Sequence, residues 1–401
     1  MLARSLTFSP EHDELFFQEL PAAPAVFLLR TAEPEQADRN VHAEAYVSRT
    51  ANLRRRLQRL LGPPSQLSKR LNLRNVVREV EFTLTGSDFE SQFLLYQVTR
   101  KLFPKTYSSR LRLRPAPLIK LHLENEYPRA SVTTRLGKLA NRDNREANLY
   151  YGPFRSRAAA EQFANDSLDF FKMRRCVDDL HPDPAFPGCV YSEMKMCLAP
   201  CFKGCTDEEY HTEVQRVQAF FDSAGESFSR ELALQRDRAS EALAFEEAAT
   251  IHAKTEKLKP VLAQVPEIVQ RIDRLQAIII LPAAETGAVM LFHFANALFS
   301  GPVPFRIEHS GEPESLESRL QTVIAAFTPP EDPSTTERTE HLSILKRWYY
   351  RSHRIGEIFF ADDKGAWPMR RIVRGIGRVY RGEKAGEAAG FSATPAGTSS
   401  S

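Results

Sequence analysis

Tyr46-Val47-Ser48-Arg49-Thr50-Ala51-Asn52-Leu53-Arg54-Arg55-Arg56-Leu57-Gln58-Arg59-Leu60-Leu61 reads as a strand that turns into a helix, and it decides how the N-terminal part of the chain folds. Leu53, Leu57, Leu60 and Leu61 recur at helical spacing and share one face. Asn52 is the expected N-cap, and Gly62-Pro63-Pro64 stops the helix. Residues 45–48 form the strand before it, and the apolar run 24–30 forms another, with the polar run 31–44 between them. Downstream, residues 76–85 predict a third strand and residues 88–102 an amphipathic helix that ends before Pro104. Residues 1–110 therefore predict a small mixed α/β domain.

Working outward, a connection through Arg114-Pro115-Ala116-Pro117 leads to strands at 118–123 and 130–134, a turn at 150–154 and a helix over 156–175. Thr206-Asp207-Glu208-Glu209 is a capping-box start for a long helical region with a break near Gly225. Strands at 277–281 and 289–294 belong to a small α/β domain spanning 264–330. A polar linker over 331–340 precedes a helix at 341–352 and a basic segment spanning 341–382. The Gly/Ala/Ser/Thr composition of 383–401 predicts a disordered tail. The fold class expected is thus multi-domain α+β, as a length of 401 residues also suggests.

With 42% hydrophobic and 26% charged residues the composition is globular, and no apolar run is long enough to span a bilayer. Glu11, Asp13 and Glu14 near the start, with no apolar core before a small-residue cleavage site, predict no secretory signal, hence a cytoplasmic protein and no membrane partner. A net charge of +3 is too small to argue for nucleic acid, but its distribution is not even. Arg54, Arg55, Arg56, Arg59, Lys69, Arg70, Arg74 and Arg78 crowd one stretch, and Arg100, Lys101, Lys105, Arg110, Arg112 and Arg114 follow. Such a concentration can neutralise backbone phosphates. Solvated helix faces look the same in sequence. The basic, aromatic stretches 348–354 and 370–374 carry the same two readings.

All five cysteines fall between Cys176 and Cys205. In a reducing compartment, close thiols at 176, 189, 197 and 201 are better read as ligands of a metal or cluster than as disulfides. Four sulfurs suit zinc and iron–sulfur clusters alike. Cys205 is either a substitute ligand or a spare thiol.

Arg175-Cys176, Met196-Cys197-Leu198-Ala199-Pro200-Cys201 and Asp207-Glu208-Glu209-Tyr210 resemble the cysteine-rich region of the UvrC family of excinuclease proteins, and Tyr151-Gly152-Pro153-Phe154 matches an element upstream of it. The resemblance covers roughly residues 20 to 325. It implies a DNA-repair protein of nucleotide excision repair, with DNA and UvrB as partners. It also implies a [4Fe-4S] cluster on Cys176, Cys189, Cys197 and Cys201, zinc being the alternative, in a linker and cysteine region spanning 111–222. The run Ala239-Ser240-Glu241-Ala242-Leu243-Ala244-Phe245-Glu246-Glu247-Ala248-Ala249 resembles the UVR motif, a helical hairpin that binds UvrB. The hairpin spans 223–263, with Leu243, Phe245, Glu246 and Ala249 as contact residues. Its apolar strip is too small for a core of its own and needs something to pair with.

The first 110 residues resemble a GIY-YIG nuclease domain, which implies a GIY-YIG-type DNA endonuclease cleaving phosphodiester bonds. Tyr46 and Arg56 fall on the family's second tyrosine and its phosphate-binding arginine, with Arg49, Arg54, Arg55 and Arg59 as DNA contacts. Phe27 falls on the first tyrosine and has no hydroxyl. Leu95 falls on the metal-binding glutamate and cannot coordinate Mg²⁺ or Mn²⁺, which only an active nuclease would need. The expectation is a DNA- and UvrB-binding protein with an impaired endonuclease site. The competing readings are an active endonuclease with a relocated carboxylate at Glu90, Glu79 or Glu81, and an iron–sulfur scaffold or sensor that does not act on DNA. A complete family member also carries an RNase H-like nuclease domain and a helix-hairpin-helix module, and neither pattern is read after residue 330.

Overall fold

The strand-forming run at residues 25–31 is apolar at every position but its end because both of its faces are covered. The computed structural model describes residues 2–31, 45–64, 71–139, 147–177, 180–307, 314–328 and 333–383. The N-terminal unit contains β1 (Arg4–Thr7), α1 (Asp13–Glu19), β2 (Ala25–Thr31), β3 (Tyr46–Thr50), α2 (Leu53–Leu61), β4 (Val77–Leu84) and α3 (Asp88–Leu102). Its antiparallel sheet has the order β1-β4-β2-β3, leaving β3 at an edge. Ala25, Phe27 and Leu29 face one side and pack with Leu53, Leu57, Leu60 and Leu61 of α2. Val26 and Leu28 face the other and pack with Leu94, Leu95 and Val98 of α3. The Asn52 side chain accepts the Arg55 amide and caps α2, as its sequence indicates. The polar run read before β3 falls mostly outside the described residues, as do Lys69 and Arg70.

The middle unit follows, with α4 (Tyr107–Leu111), β5 (Leu118–Leu121), β6 (Ala130–Thr133), β7 (Leu149–Gly152), α5 (Arg157–Leu168), α6 (Val190–Glu193), α7 (Asp207–Asp222), α8 (Glu226–Glu241), α9 (Phe245–Ala263) and β8 (Gln270–Arg271). Its sheet has the order β6-β5-β7-β8. Two expectations change here. Tyr150 and Tyr151 are strand residues paired with Lys120 and Ile119, so the turn starts only after Gly152. Helix α5 ends at Leu168, well short of residue 175. Beyond it, Glu213 accepts the Lys172 amide and the Tyr210 hydroxyl accepts the Arg174 amide, so α7 draws the chain into an extended path. The break at Gly225 is a left-handed turn, φ 87°, against Leu262, where a Cβ would meet Cδ2 at 2.2 Å.

The C-terminal unit contains β9 (Gln276–Pro282), β10 (Ala288–Ala295), β11 (Leu298–Arg306), α10 (Leu316–Ala325), α11 (Thr335–Tyr349), β12 (Glu357–Phe360) and α12 (Met369–Tyr380). The sheet order β11-β10-β9-β12 joins the segments read separately as 264–330 and 341–382. The four-residue β12 is too short to stand out in sequence. Helix α11 starts six residues earlier than expected because Ser334 accepts the Glu337 amide, a cap inside the supposed linker. Ile278 and Ile280 of β9 pack with Ile372, Ile376 and Val379 of α12. Trp348 is buried, and the Tyr350 hydroxyl donates to the Pro153 carbonyl, so the packed reading holds for these rings. The tail from 384 lies outside the described residues.

The N-terminal unit is docked through α3. Phe89 and Phe93 sit edge-on to Phe292 at 5.0 and 5.6 Å, and Phe89 meets Trp348 at 5.5 Å. The Tyr96 hydroxyl donates to Glu340 at 2.9 Å in a buried site. Among the described residues no helix is long and apolar enough to cross a membrane. Gly86 lies where this docking is tightest, because a Cβ there would stand 2.1 Å from the Pro282 carbonyl oxygen. Both sides are backbone, so Gly86→Ala must separate α3 from β9 and is expected to cost about 1–3 kcal/mol. Urea unfolding checks this, an unchanged midpoint contradicting the close approach.

Candidate nucleic-acid interface and cysteine centre

On the α2 face of the N-terminal sheet, Tyr46 and Arg56 come together. Arg56 donates from Nη2 to the Tyr46 hydroxyl at 3.0 Å, and the Phe27 ring lies 6.1 Å from the Tyr46 ring. Phe27 is wholly buried, a core side chain beside a half-exposed polar pair. The other arginines named from sequence divide into two groups. Arg54 clamps the end of α1, donating to the Leu20 carbonyl at 2.6 Å and to that of Gln18 at 3.3 Å. Arg49 pairs with Asp88 at the start of α3, and Arg351 pairs with the same carboxylate. Burial raises the Asp88 carboxyl, but Arg49 and Arg351 outweigh it and hold it below its ordinary value. Arg74 is bound to Asp13 and to the Leu61 carbonyl. Arg55 and Arg59 are exposed and make no side-chain hydrogen bond or ion pair among the described residues.

Leu95 is not brought to this pair. It packs with Val26, Leu28 and Val47, from the opposite face of the sheet. The three carboxylates considered as replacements are engaged as well. Glu81 is buried, bound to Arg30 and accepting the Leu2 amide. Glu79 accepts from Ser5, with Arg30 at 3.9 Å. Glu90 is buried and accepts the Gly86 amide at 2.8 Å. Burial pushes its carboxyl up to about 7, against the lowering effect of that amide. Among the described residues no three His, Cys, Asp or Glu side chains close around a point that could hold a metal ion.

The cysteines arrive on three segments. Cys176 lies on the extended chain after α5, Cys189 is the N-cap of α6, and Cys197 and Cys201 flank Pro200. Burial pushes the Cys197 thiol up to about 11, with the neighbouring thiols of Cys176, Cys201 and Cys189 adding to it. That mutual influence shows the four as neighbours. Burial raises the Cys205 thiol, and Glu209, Asp207 and Cys201 raise it further, so Cys205 also lies within electrostatic reach of the group. Sulfur acceptors are already served, since the Ala199 amide donates to Cys197 at 3.3 Å and Arg174 donates from Nη1 to Cys176 at 3.4 Å. Arg174 is 2% exposed and also donates to the Tyr127 carbonyl. Sequence reading missed it, although a doubled arginine directly before the first cysteine was the available signal.

At the turn between α8 and α9, Leu243 and Phe245 stand 71% and 70% exposed, an unusual state for large apolar side chains on one bend. Leu243 holds a positive φ of 55°. Glu246 and Ala249 are exposed beside them, while Ile251 turns inward and is buried.

Residues 117–220, which hold β5, β6 and β7 of the second sheet and the cysteine segments up to α7, match the family model of the UvrC/Cho excinuclease middle domain. The chain is 25% identical to UvrABC system protein C of Rhodospirillum rubrum over 72% of its own length and 44% of that protein. It is 24% identical to the Carboxydothermus hydrogenoformans protein of the same name over 77% and 48%, and 28% identical to the Rickettsia felis one over 68% and 41%. These findings support a UvrC-family protein. The chain spans about half the length of the curated relatives it matches. No solved structure matches it.

The raised Glu90 carboxyl has a testable sign. As pH rises from about 4.5, the unfolded chain loses this proton first, so stability falls until pH passes about 7. The full change is roughly 3 kcal/mol at about 1.4 kcal/mol per pKa unit. Glu90→Gln is expected to match the parent chain near pH 4 and to exceed it in stability at pH 8, read from denaturation midpoints. Equal midpoints at pH 8 would show that Glu90 ionises freely.

Proposed function

We propose that this chain is a nucleotide-excision-repair protein of the UvrC type that acts by binding DNA and UvrB, with an impaired endonuclease site. The match of residues 117–220 to the UvrC/Cho middle domain carries the repair assignment. The Tyr46–Arg56 pair supports retained phosphate binding, with Arg55 and Arg59 exposed beside it. Hydrolysis of a phosphodiester also needs stabilisation of charge on the phosphate oxygens, which a divalent metal supplies in this class of nuclease. Phe27 has no hydroxyl to move a proton, and Leu95 packs on the opposite face of the sheet, so position 95 brings no oxygen to a metal beside Tyr46 and Arg56. Glu79, Glu81 and Glu90 are already committed to Arg30 or to backbone amides, which argues against a relocated ligand. The exposed Leu243–Phe245 tip suits a helical partner groove, and its partner in this reading is UvrB.

The same reading assigns a [4Fe-4S] cluster to Cys176, Cys189, Cys197 and Cys201. The four thiols influence one another, which supports a shared centre, and the preference for a cluster over zinc rests on the family resemblance. When bound, the cluster would supply a covalent tie between three otherwise separate segments. Arg174 and the Ala199 amide would then hydrogen-bond ligand sulfurs, which tunes such centres.

An incision assay on a damaged duplex with UvrA and UvrB tests the nuclease reading. No nick by the parent chain is expected, with DNA affinity and UvrB association retained. A Mg²⁺- or Mn²⁺-dependent nick abolished by Arg56→Ala would overturn the impairment, and loss of both bindings would overturn the whole assignment. Anaerobically purified protein is expected to contain iron and sulfide in equal amounts, both lost in Cys197→Ser. Stoichiometric zinc without sulfide would replace the cluster by a zinc site.

A further inference from the structure

Three concentrations of charge or apolar surface lie outside the sites above: the two arginine-lined concavities beside α11 and the exposed apolar residues of the cysteine region. The first is the most densely charged. Arg112 and Arg114, from the connection after α4, converge with Lys346 and Arg347, near the end of α11, on a concavity of about 500 Å³. Leu111, Leu113 and Ser343 complete its lining, and no carboxylate is among them. None of the four cations makes a side-chain hydrogen bond or ion pair among the described residues. Elsewhere the protein neutralises its arginines with care: Arg100 is held by Glu337, Arg271 by Asp222 and Asp273, and Arg378 by Glu357. Four like charges left facing one hollow repel one another unless an anion enters. Burial lowers the Lys346 ammonium, and the adjacent Arg114 lowers it further.

We infer that the hollow formed by Arg112, Arg114, Lys346 and Arg347 is a phosphate-binding site that takes the backbone of a nucleic acid. Arginine forks and a lysine ammonium together match phosphate oxygens. A polymer is favoured over a free nucleotide by two observations. The lining has no aromatic side chain to hold a base. In addition, positive charge continues along the chain leaving α11: Arg354, stacked on Tyr349 at 4.7 Å, lines a second concavity of about 430 Å³ in which Arg371, Arg374 and Arg378 of α12 outnumber Glu267 and Glu357. A polymer carries phosphates enough for more than one such hollow, whereas a single small anion fills one. The inference deepens the DNA-binding reading and rests on it for the nature of the polymer, but it uses a different surface from Arg55, Arg56 and Arg59.

The test is fluorescence anisotropy of the full chain with labelled single-stranded and duplex DNA across a salt series. The variants are Arg112→Gln/Arg114→Gln, Lys346→Gln/Arg347→Gln, the two pairs combined, and Arg55→Gln/Arg59→Gln. Circular dichroism establishes that each is folded, and the exposed Arg112/Arg114 pair keeps the test usable should the helix variants unfold. The combined variant is expected to bind at least about tenfold more weakly. Its salt slope is expected to fall, for each phosphate it no longer neutralises, by about 0.7 on single strands and about 0.9 on duplex. Parent-like affinity and slope in the combined variant, with weaker binding by Arg55→Gln/Arg59→Gln, would overturn this site and leave the wider reading intact. A parent chain that binds no DNA would overturn both. Calorimetry with inorganic phosphate supplies the other arm: phosphate binding abolished in the combined variant while DNA affinity stays unchanged would assign the hollow to a small anion and overturn the polymer.

Discussion

Helix α3 is buried on two sides, and the arrangement of the three units follows from that. One face gives Leu94, Leu95 and Val98 to the N-terminal sheet. The other gives Phe89, Phe93 and Tyr96 to the core shared with the C-terminal sheet and α11. Each aromatic side chain taken fully from water contributes about 1.5–3 kcal/mol, and the edge-to-face contacts add to that. A helix committed on both faces has little freedom to carry a hydrated polar group in its middle. That constraint gives Leu95 a physical reason: it fills a place where a metal-binding carboxylate would have to open the apolar layer to water.

The same economy governs the middle unit. Helix α7 is the scaffold of the cysteine centre, because Tyr210 and Glu213 accept backbone amides from the segment that delivers Cys176. The capping box of Thr206 and Glu209 fixes where that helix begins. Without those side-chain bonds the Lys172 and Arg174 amides would lose their partners, and burying them would be unfavourable. Arg174, buried against Cys176, belongs to the same construction.

Arginine usage separates structural from accessible charge. Arg54, Arg74 and Arg100 each satisfy carbonyls or carboxylates inside the fold. Arg55, Arg59, Arg112, Arg114 and Arg347 do not. Sequence clustering counted both kinds alike, since a guanidinium that clamps a helix end and one that awaits a phosphate have the same local neighbours in the chain.

What the sequence determined by itself was local. The Asn52 cap, the Leu53–Leu61 face, the Thr206 capping box and the break at Gly225 depend on contacts within a few residues and could be read directly. The exposed Phe245 tip was legible in part, because spacing names candidates and only packing says which face is bare. Tertiary structure alone decided the rest. It added the short β12 to the C-terminal sheet, ended α5 early through bonds from α7, and put Leu95 on the face opposite Tyr46 and Arg56. It also drew Arg112 and Arg114 to Lys346 and Arg347 across more than half the chain. Contacts between residues so far apart in sequence are set by which apolar faces find each other, and no local pattern encodes that choice.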